Sequence, residues 1–376
     1  MNQIPYGHQW INDSDVAAVA EALRSDWLTT GPRVTQFEDA IAVVAGSDGA
    51  VAVSSGTAAL HAAYAAAGVG AGDEVIVPAL TFVATAAAAI HQGATVRFAD
   101  VQEDTGNIDP ASAASLISKA TRVIAGVDYA GHPVDADEIA TLARDAGALF
   151  LEDAAHSIGS TYHGRSVGSL ADLTTFSFFP TKNMTTAEGG AVVSRDSVLL
   201  ERARNFRGQG LVRDPALQRY PEEGPWHQEV HELGLNYRLP DALCALGLTQ
   251  IARLETFKAG RKRVFDRYHE GLVGVEGVRL PTRGDHVDPM WHLYPIRVAA
   301  DRRRRLFEHL RTHGVMVQVN YLPVYWHPWF EDHGYRRGMC PVAEQYYREE
   351  ISLPMYANLS EGDQDRVVDL VRSGLE

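Results

Sequence analysis

One lysine in this chain stands where a reactive amine would be useful. Lys182 lies in Phe176-Ser-Phe-Phe-Pro-Thr-Lys-Asn-Met-Thr-Thr-Ala-Glu-Gly-Gly190, between an apolar, strand-like run and a Gly-Gly turn. A lysine in a confined site loses its proton readily and attacks a carbonyl carbon, the first step of Schiff-base chemistry. Upstream, Leu151-Glu-Asp-Ala-Ala-His156 ends a second apolar run with two acids that a strand would point to opposite faces. A partly buried Asp153 needs a cation or several donors to offset its desolvation. A protonated pyridine nitrogen is one such cation, and pyridoxal phosphate requires a partner of this kind; an arginine ion pair is the alternative.

Other segments supply candidates of lower specificity. Val53-Ser-Ser-Gly-Thr-Ala-Ala-Leu60 sets small residues at a strand-to-helix junction. There, backbone N–H groups and the helix dipole attract an anion, with Gly56 permitting close approach and Thr57 adding a hydroxyl. An ordinary Ser/Thr helix cap reads the same way. Ser177, five positions before Lys182, could donate to a phosphate. Phe82, just past a strand end in Pro78-Ala-Leu-Thr-Phe82, could stack on a flat ring or simply open an apolar helix. His156 could contact that ring, or be a satisfied structural histidine. In Leu233-Gly-Leu-Asn-Tyr-Arg-Leu-Pro240, Asn236 and Arg238 could face a phosphate or carboxylate, or cap the next helix. The aromatic run Val317 to Phe330, which includes Tyr321, could stack on a sugar or nucleotide, or form a core seam. His227 and His231 have i, i+4 spacing without a zincin glutamate, so no metal site is expected.

These residues need a frame to hold them. From about residue 50 to 194, β-rich runs alternate with Ala-rich helical segments. The expected strands are Ala50–Ser54, Glu74–Pro78, Thr95–Asp100, Arg122–Tyr129, Leu149–Asp153, Leu173–Phe179 and Gly190–Ser194. The expected helices are Thr57–Ala67, Phe82–His91, Pro110–Lys119 and Asp135–Ala146. This is an α/β pattern: a mostly parallel sheet with helices on both faces, and ligands at the carboxyl ends of the strands. A long amphipathic helix is expected from Pro240 to about Gly271, with Leu243, Leu246, Ile251, Leu254 and Phe257 as its buried stripe. Beyond it a smaller α+β region is expected: strands near His292–Val298 and Val315–Tyr321, and helices near Asp301–His313 and from Glu361. The division expected is a large domain over 1–240 and a small one over 241–376.

Composition excludes several classes. The 376 residues suit one large domain plus a smaller one. A net charge of −14 argues against nucleic acid or an anionic membrane as partner. The two cysteines have no metal-type spacing and fit a reducing cytoplasm. The first residues lack a signal-peptide pattern, and no apolar run is long enough to span a bilayer.

Taken together these motifs resemble the DegT/DnrJ/EryC1/StrS family of sugar aminotransferases. The likeness runs from Ile4-Pro-Tyr-Gly7 through Ser25-Asp-Trp-Leu-Thr-Thr-Gly-Pro32 to Leu353-Pro, nearly the whole chain. Within the family it leans towards the UDP-4-amino-4,6-dideoxy-N-acetyl-altrosamine transaminases, through Asp104-Thr-Gly-Asn-Ile-Asp-Pro110, Val317-Gln-Val, Tyr321-Leu-Pro-Val324 and Pro341-Val-Ala. The resemblance implies fold type I of pyridoxal-phosphate enzymes, with a seven-stranded type of sheet, and a homodimer with sites at the subunit interface. It implies Lys182 as the Schiff-base residue and proton shuttle, Asp153 at the pyridine nitrogen, and Phe82 and His156 beside the ring. It further implies Gly56, Thr57 and Ser177 on the phosphate, Asn236 reaching a phosphate across the interface, and Arg238 and Tyr321 on substrate. The substrates implied are glutamate and a nucleotide-linked keto-sugar, a 4-keto-6-deoxy sugar first; a 3-keto sugar, or dehydratase or lyase chemistry, is the alternative. The chain departs from the subgroup at Asp128 and His132, which bears on substrate identity, and at Ala187, where a glycine is usual.

Overall fold

The computed structural model describes residues 3–375. Besides five two-residue strands in two small outlying sheets, its strands are β1 (Gly49–Val53), β2 (Glu74–Pro78), β3 (Thr95–Ala99), β4 (Thr121–Val127), β5 (Leu149–Asp153), β6 (Leu173–Ser177) and β7 (Gly190–Ser194), followed by β8 (Val278–Arg279), β9 (Tyr294–Val298) and β10 (Glu350–Leu353). The first seven form one sheet in the order β1-β7-β6-β5-β4-β2-β3. Only β7 runs antiparallel to its neighbours, so the sheet is mainly parallel, as expected from the sequence. Strands β1, β2, β4 and β5 are short, largely apolar and buried runs, the pattern of a sheet covered on both faces.

The helices are α1 (Asp13–Arg24), α2 (Pro32–Ala45), α3 (Gly56–Ala66), α4 (Ala84–His91), α5 (Pro110–Ser115), α6 (Ala136–Ala146), α7 (Ser197–Arg207), α8 (Asp241–Ile251), α9 (Leu254–Leu272), α10 (Ala300–Thr312), α11 (Pro328–Asp332), α12 (Pro341–Glu349) and α13 (Glu361–Leu375). One face of the large sheet is covered by α3, α4 and α7, where alanines such as Ala62, Ala63 and Ala66 let helix and sheet approach closely. The other face is covered by α2, α6 and α8. A third apolar cluster joins α9, α10 and α13 to the antiparallel strands β8, β9 and β10, and takes in Ile4 from the N-terminal arm.

Two expectations for the C-terminal half are corrected. The long helix is two helices, α8 and α9. The chain bends at Arg253, whose Nη2 reaches across to the fully buried Asp15 (2.5 Å) and to the Trp10 carbonyl (2.9 Å). Residues 315–321 form no strand. They are extended but paired one residue at a time, Val315 with Ile4 and Gln318 with Ser352, and the Asn320 N–H goes to the Glu350 carboxylate. The aromatic run that follows is chiefly a core seam: Tyr325, Trp326 and Phe330 are buried in the cluster over α3 and α4.

Candidate active site

With β7 reversed, β1, β2, β4, β5 and β6 all end at the same edge of the sheet. At that edge lies a cavity of about 710 Å³, lined by Gly56, Thr57, Phe82, Asp153, His156, Ser177, Lys182 and Tyr321 among others. Eight of the ten residues singled out from sequence thus meet in one place. Asn236 and Arg238 do not. Asn236 is exposed, and Arg238 points at Gln209.

Lys182 sits on the excursion between the adjacent antiparallel strands β6 and β7. Burial pulls its amine down to about 8, Asp153 opposes the shift and Arg261 adds to it. Its Nζ makes no hydrogen bond among the described residues. Facing it, Asp153 ends β5. Its Oδ2 accepts from Thr85 Oγ1 at 2.7 Å and its Oδ1 from the Ala155 N–H at 3.2 Å. Burial raises the carboxyl, while Thr85, Ala155 and the Lys182 charge pull it back. Thr81 lies 2.8 Å from Thr85, so two hydroxyls line up behind the carboxylate. The neighbouring Glu152 faces the other way, as strand alternation expects. Its carboxyl, pushed up to about 7 by burial, accepts from Thr174 and the Gly168 N–H.

The opposite wall suits an anion. Ser55 caps α3 by accepting from the Ala58 N–H at 3.0 Å, and the Gly56 and Thr57 amides donate to nothing within the described chain. The Ser177 and Thr57 hydroxyls are likewise without partners among the described residues. A Cβ on Gly56 would come within 2.8 Å of Ser177 Cβ and Oγ, so only glycine lets the helix start and the end of β6 converge. Gly190 serves the return into β7, since a Cβ there would meet the Ser55 carbonyl at 2.5 Å.

His156, following β5, is held well below the ordinary histidine range by burial and by the Lys182 and Arg261 charges. Its Nε2 is 3.1 Å from the Tyr321 hydroxyl. Phe82 is 56% exposed at the cavity mouth, set edge-on to Tyr321. It therefore presents its ring to the cavity instead of entering the core.

Five further residues enter that the sequence did not single out: Thr85 and Thr81 behind Asp153, His292 with its ring 4.3 Å from that of His156 and tilted to it, and Tyr6 and Asn320 on the cavity wall. The i, i+4 spacing of Thr81 and Thr85 beside Phe82 is the one local signal among them. By contrast, Asn183 is structural, its Nδ2 donating to the His156 and Met290 carbonyls. The departures Asp128 and His132 do not line the cavity. Asp128 is buried and accepts from Ser157 and the Val134 N–H, and His132 bonds the Pro133 carbonyl. Ala187 adopts φ 66, the left-handed region that explains the usual glycine.

A mainly parallel sheet with a half-buried lysine facing a buried aspartate, and an anion cradle on the same cavity, fits pyridoxal phosphate: an amine for its carbonyl carbon, a carboxylate for its ring nitrogen, and free donors for its phosphate. The architecture is that of a fold type I, pyridoxal-phosphate-dependent aminotransferase. The chain belongs to the DegT/DnrJ/EryC1/StrS aminotransferase family, whose sequence profile matches residues 9–372. It is 36% identical over 383 residues to the UDP-4-amino-4,6-dideoxy-N-acetyl-β-L-altrosamine transaminase of Campylobacter jejuni, covering 99% of this chain and 98% of that one. Its structure is similar to Helicobacter pylori PseC, an aminotransferase of pseudoaminic acid biosynthesis (TM-score 0.93, 31% identity, 99% of each chain). It is also similar to a Streptococcus pneumoniae protein described as a sugar aminotransferase, solved in its pyridoxamine-phosphate form (TM-score 0.93, 29% identity, 99% and 98% covered). No helix of the described residues is long and apolar enough to cross a membrane.

Proposed function

We propose that this enzyme moves an amino group from glutamate to the ketone of a nucleotide-linked sugar, at C4 of a 4-keto-6-deoxy sugar. The observation that carries the reading is the convergence of the Lys182 amine, the Asp153 carboxylate and the free donors of Gly56, Thr57 and Ser177 on one cavity. The acceptor class is supported by the named activities of the Campylobacter and Helicobacter relatives.

Bound here, pyridoxal phosphate supplies a carbonyl for the amine and an electron sink for the bond that breaks at the donor's α-carbon. Lys182 is the residue that holds it covalently. Displaced by the donor, its freed amine would take the proton from the donor's α-carbon and serve in turn as general base and general acid. Asp153, fixed by Thr85 and Ala155, keeps the ring nitrogen protonated. Ser177, Thr57 and the α3 amides would hold the phosphate, Phe82 and the neutral His156 would flank the ring, and Tyr321 would serve the substrate.

The active form proposed is a cytoplasmic homodimer. Exposed apolar residues Ile11, Val16 and Leu23 line a groove of about 510 Å³ next to the Lys182 excursion, suited to a second copy. Asn236 and Arg238, which do not line their own cavity, then serve the partner's phosphate and the donor carboxylate. Mixing Lys182→Ala and Asn236→Ala subunits, each impaired alone, restores about a quarter of wild-type activity if one intact site forms per mixed dimer; no recovery on mixing argues for a self-contained site.

The test of the function is a panel of keto-sugar nucleotides incubated with glutamate, with products read by mass and NMR. Lys182→Ala abolishes turnover and the visible absorbance of the bound cofactor. Amination of 3-ketones alone removes the C4 assignment, and ammonia release without amine transfer points to a dehydratase or lyase.

A further inference from the structure

Arg261, on α9, is buried immediately behind the cavity and has no part in the chemistry above. It is 2% exposed. Its Nη1 donates to the carbonyls of Trp291 (3.1 Å) and Met355 (3.3 Å), and its Nη2 to the carbonyl of Lys182 (3.2 Å). Its Nε is buried without an acceptor. No carboxylate among the described residues lies within 4.0 Å of it. The other buried arginine, Arg297, has Glu349 3.7 Å away. Burying a guanidinium without an anion is costly, so the fold gains something from keeping it. Burial pulls Arg261 down to about 10, with Tyr6 opposing, and it stays cationic near neutral pH.

We propose that Arg261 is a positioning residue for the Lys182 amine: it pins the Lys182 main chain to the C-terminal sheet and holds an unneutralised positive charge behind the nitrogen. The inference rests on Lys182 being the residue that carries the cofactor. The three carbonyls it joins come from the Lys182 excursion, from the approach to β9 and from the exit of β10, so one fork fixes three segments.

The charge has a chemical use. The amine must shed its proton to attack a carbonyl or to act as a base. Asp153 works against this, by attracting the charged form. His156 and His292 face the amine but are held neutral, chiefly by burial. The Tyr6 and Tyr321 phenols are kept protonated, again chiefly by burial, and the Glu188 carboxylate stands on the cavity wall. Among these groups Arg261 is the one fixed cation, and it offsets Asp153.

The chain contains only four lysines, at positions 119, 182, 258 and 262, which makes a direct test practical. The full-length protein is freed of cofactor and its amines are labelled with trinitrobenzenesulfonate across a pH series. Mass spectrometry reads each lysine peptide, with Lys119 and Lys262 as internal references. The midpoint expected for wild-type Lys182, lowered by burial, is about 8. In Arg261→Gln the midpoint rises by about one pH unit, or about tenfold less free amine at neutral pH. Arg261→Lys keeps the charge and the low midpoint, but one ammonium cannot span three carbonyls. In that holoenzyme, amide hydrogen exchange over 178–186 therefore accelerates by about threefold or more.

A folded Arg261→Gln with the wild-type midpoint overturns the inference, as does wild-type exchange in Arg261→Lys. Should Arg261→Gln fail to fold, the Arg261→Lys midpoint decides: a rise there rejects the role of the charge. Failure of the wild type to aminate any keto-sugar would instead reject the proposed function and leave these midpoints unaffected.

Discussion

Replacing Thr85 with valine changes one atom's chemistry and little volume, yet it removes the donor that Asp153 Oδ2 uses at 2.7 Å. The carboxylate keeps only the Ala155 N–H and the attraction of Lys182 against the burial that raises it. A hydrogen bond to a charged group contributes about 1.5–3 kcal/mol. Its loss moves the Asp153 carboxyl upward by about one to two pH units. The sign follows from the role: Asp153 must be an anion to hold a ring proton, so its work fails below its pKa, and the acid limb of the rate profile moves towards neutrality. The assay is the single-turnover reaction with glutamate, followed by stopped-flow absorbance over roughly pH 6 to 9. On the acid limb the expected rate falls by about 10- to 100-fold, while cofactor affinity, set mostly at the phosphate, changes by less than about threefold. A rate within about twofold of wild type and an unmoved acid limb would refute the view that Thr85 sets the state of Asp153.

Gly56→Ala sets a Cβ within 2.8 Å of Ser177 and forces the start of α3 away from β6. Cofactor affinity measured by equilibrium dialysis then weakens by about tenfold or more, and unchanged affinity would remove the anion cradle from this turn. Ala187→Gly relieves a left-handed residue at φ 66 and raises stability by about 0.5–1 kcal/mol in urea unfolding, after allowance for the freer unfolded chain. A loss of stability would show that Ala187 is not strained. Burial pushes Glu350 up to about 8, against the bonds from Ser352 and Asn320. Such a group binds its proton more tightly in the folded chain, so its contribution is intact below the unfolded pKa of about 4.3 and is lost as pH rises through the folded one. The melting temperature of Glu350→Gln relative to wild type therefore increases between about pH 5 and 8.5, and calorimetry giving a constant difference rejects the assignment.

The sheet could be read from sequence because each strand is a short buried run bounded by turns. Glu74–Pro78, Leu149–Asp153 and Gly190–Ser194 agree to the residue. Lys182, Asp153 and Ser177 were legible for the same reason: each lies at or just beyond a strand end, where a parallel sheet collects its ligands. What escaped depends on partners far along the chain. Arg261 sits in a basic stretch that looks solvated, and only the fold brings the Lys182, Trp291 and Met355 carbonyls to it. The break at Arg253 was hidden because its cause, Asp15, lies 238 residues away. The extended segment to Tyr321 looked like a strand, but its pairing groups are single residues and one side-chain carboxylate, which no periodicity reports.

The cavity is walled by two separate pieces of chain. Asp153, Thr85, Ser177 and the Gly56 turn belong to the large sheet and its helices. Tyr6, Gln318 and Asn320 come from the N-terminal arm and the stretch before β10, and are tied to each other and to Ser352, Glu350 and Tyr129. No hydrogen bond among the described residues joins those three side chains to Asp153 or Thr85. Side chains on one bank can therefore be exchanged while the bonds that fix the Asp153 carboxylate on the other stay as they are.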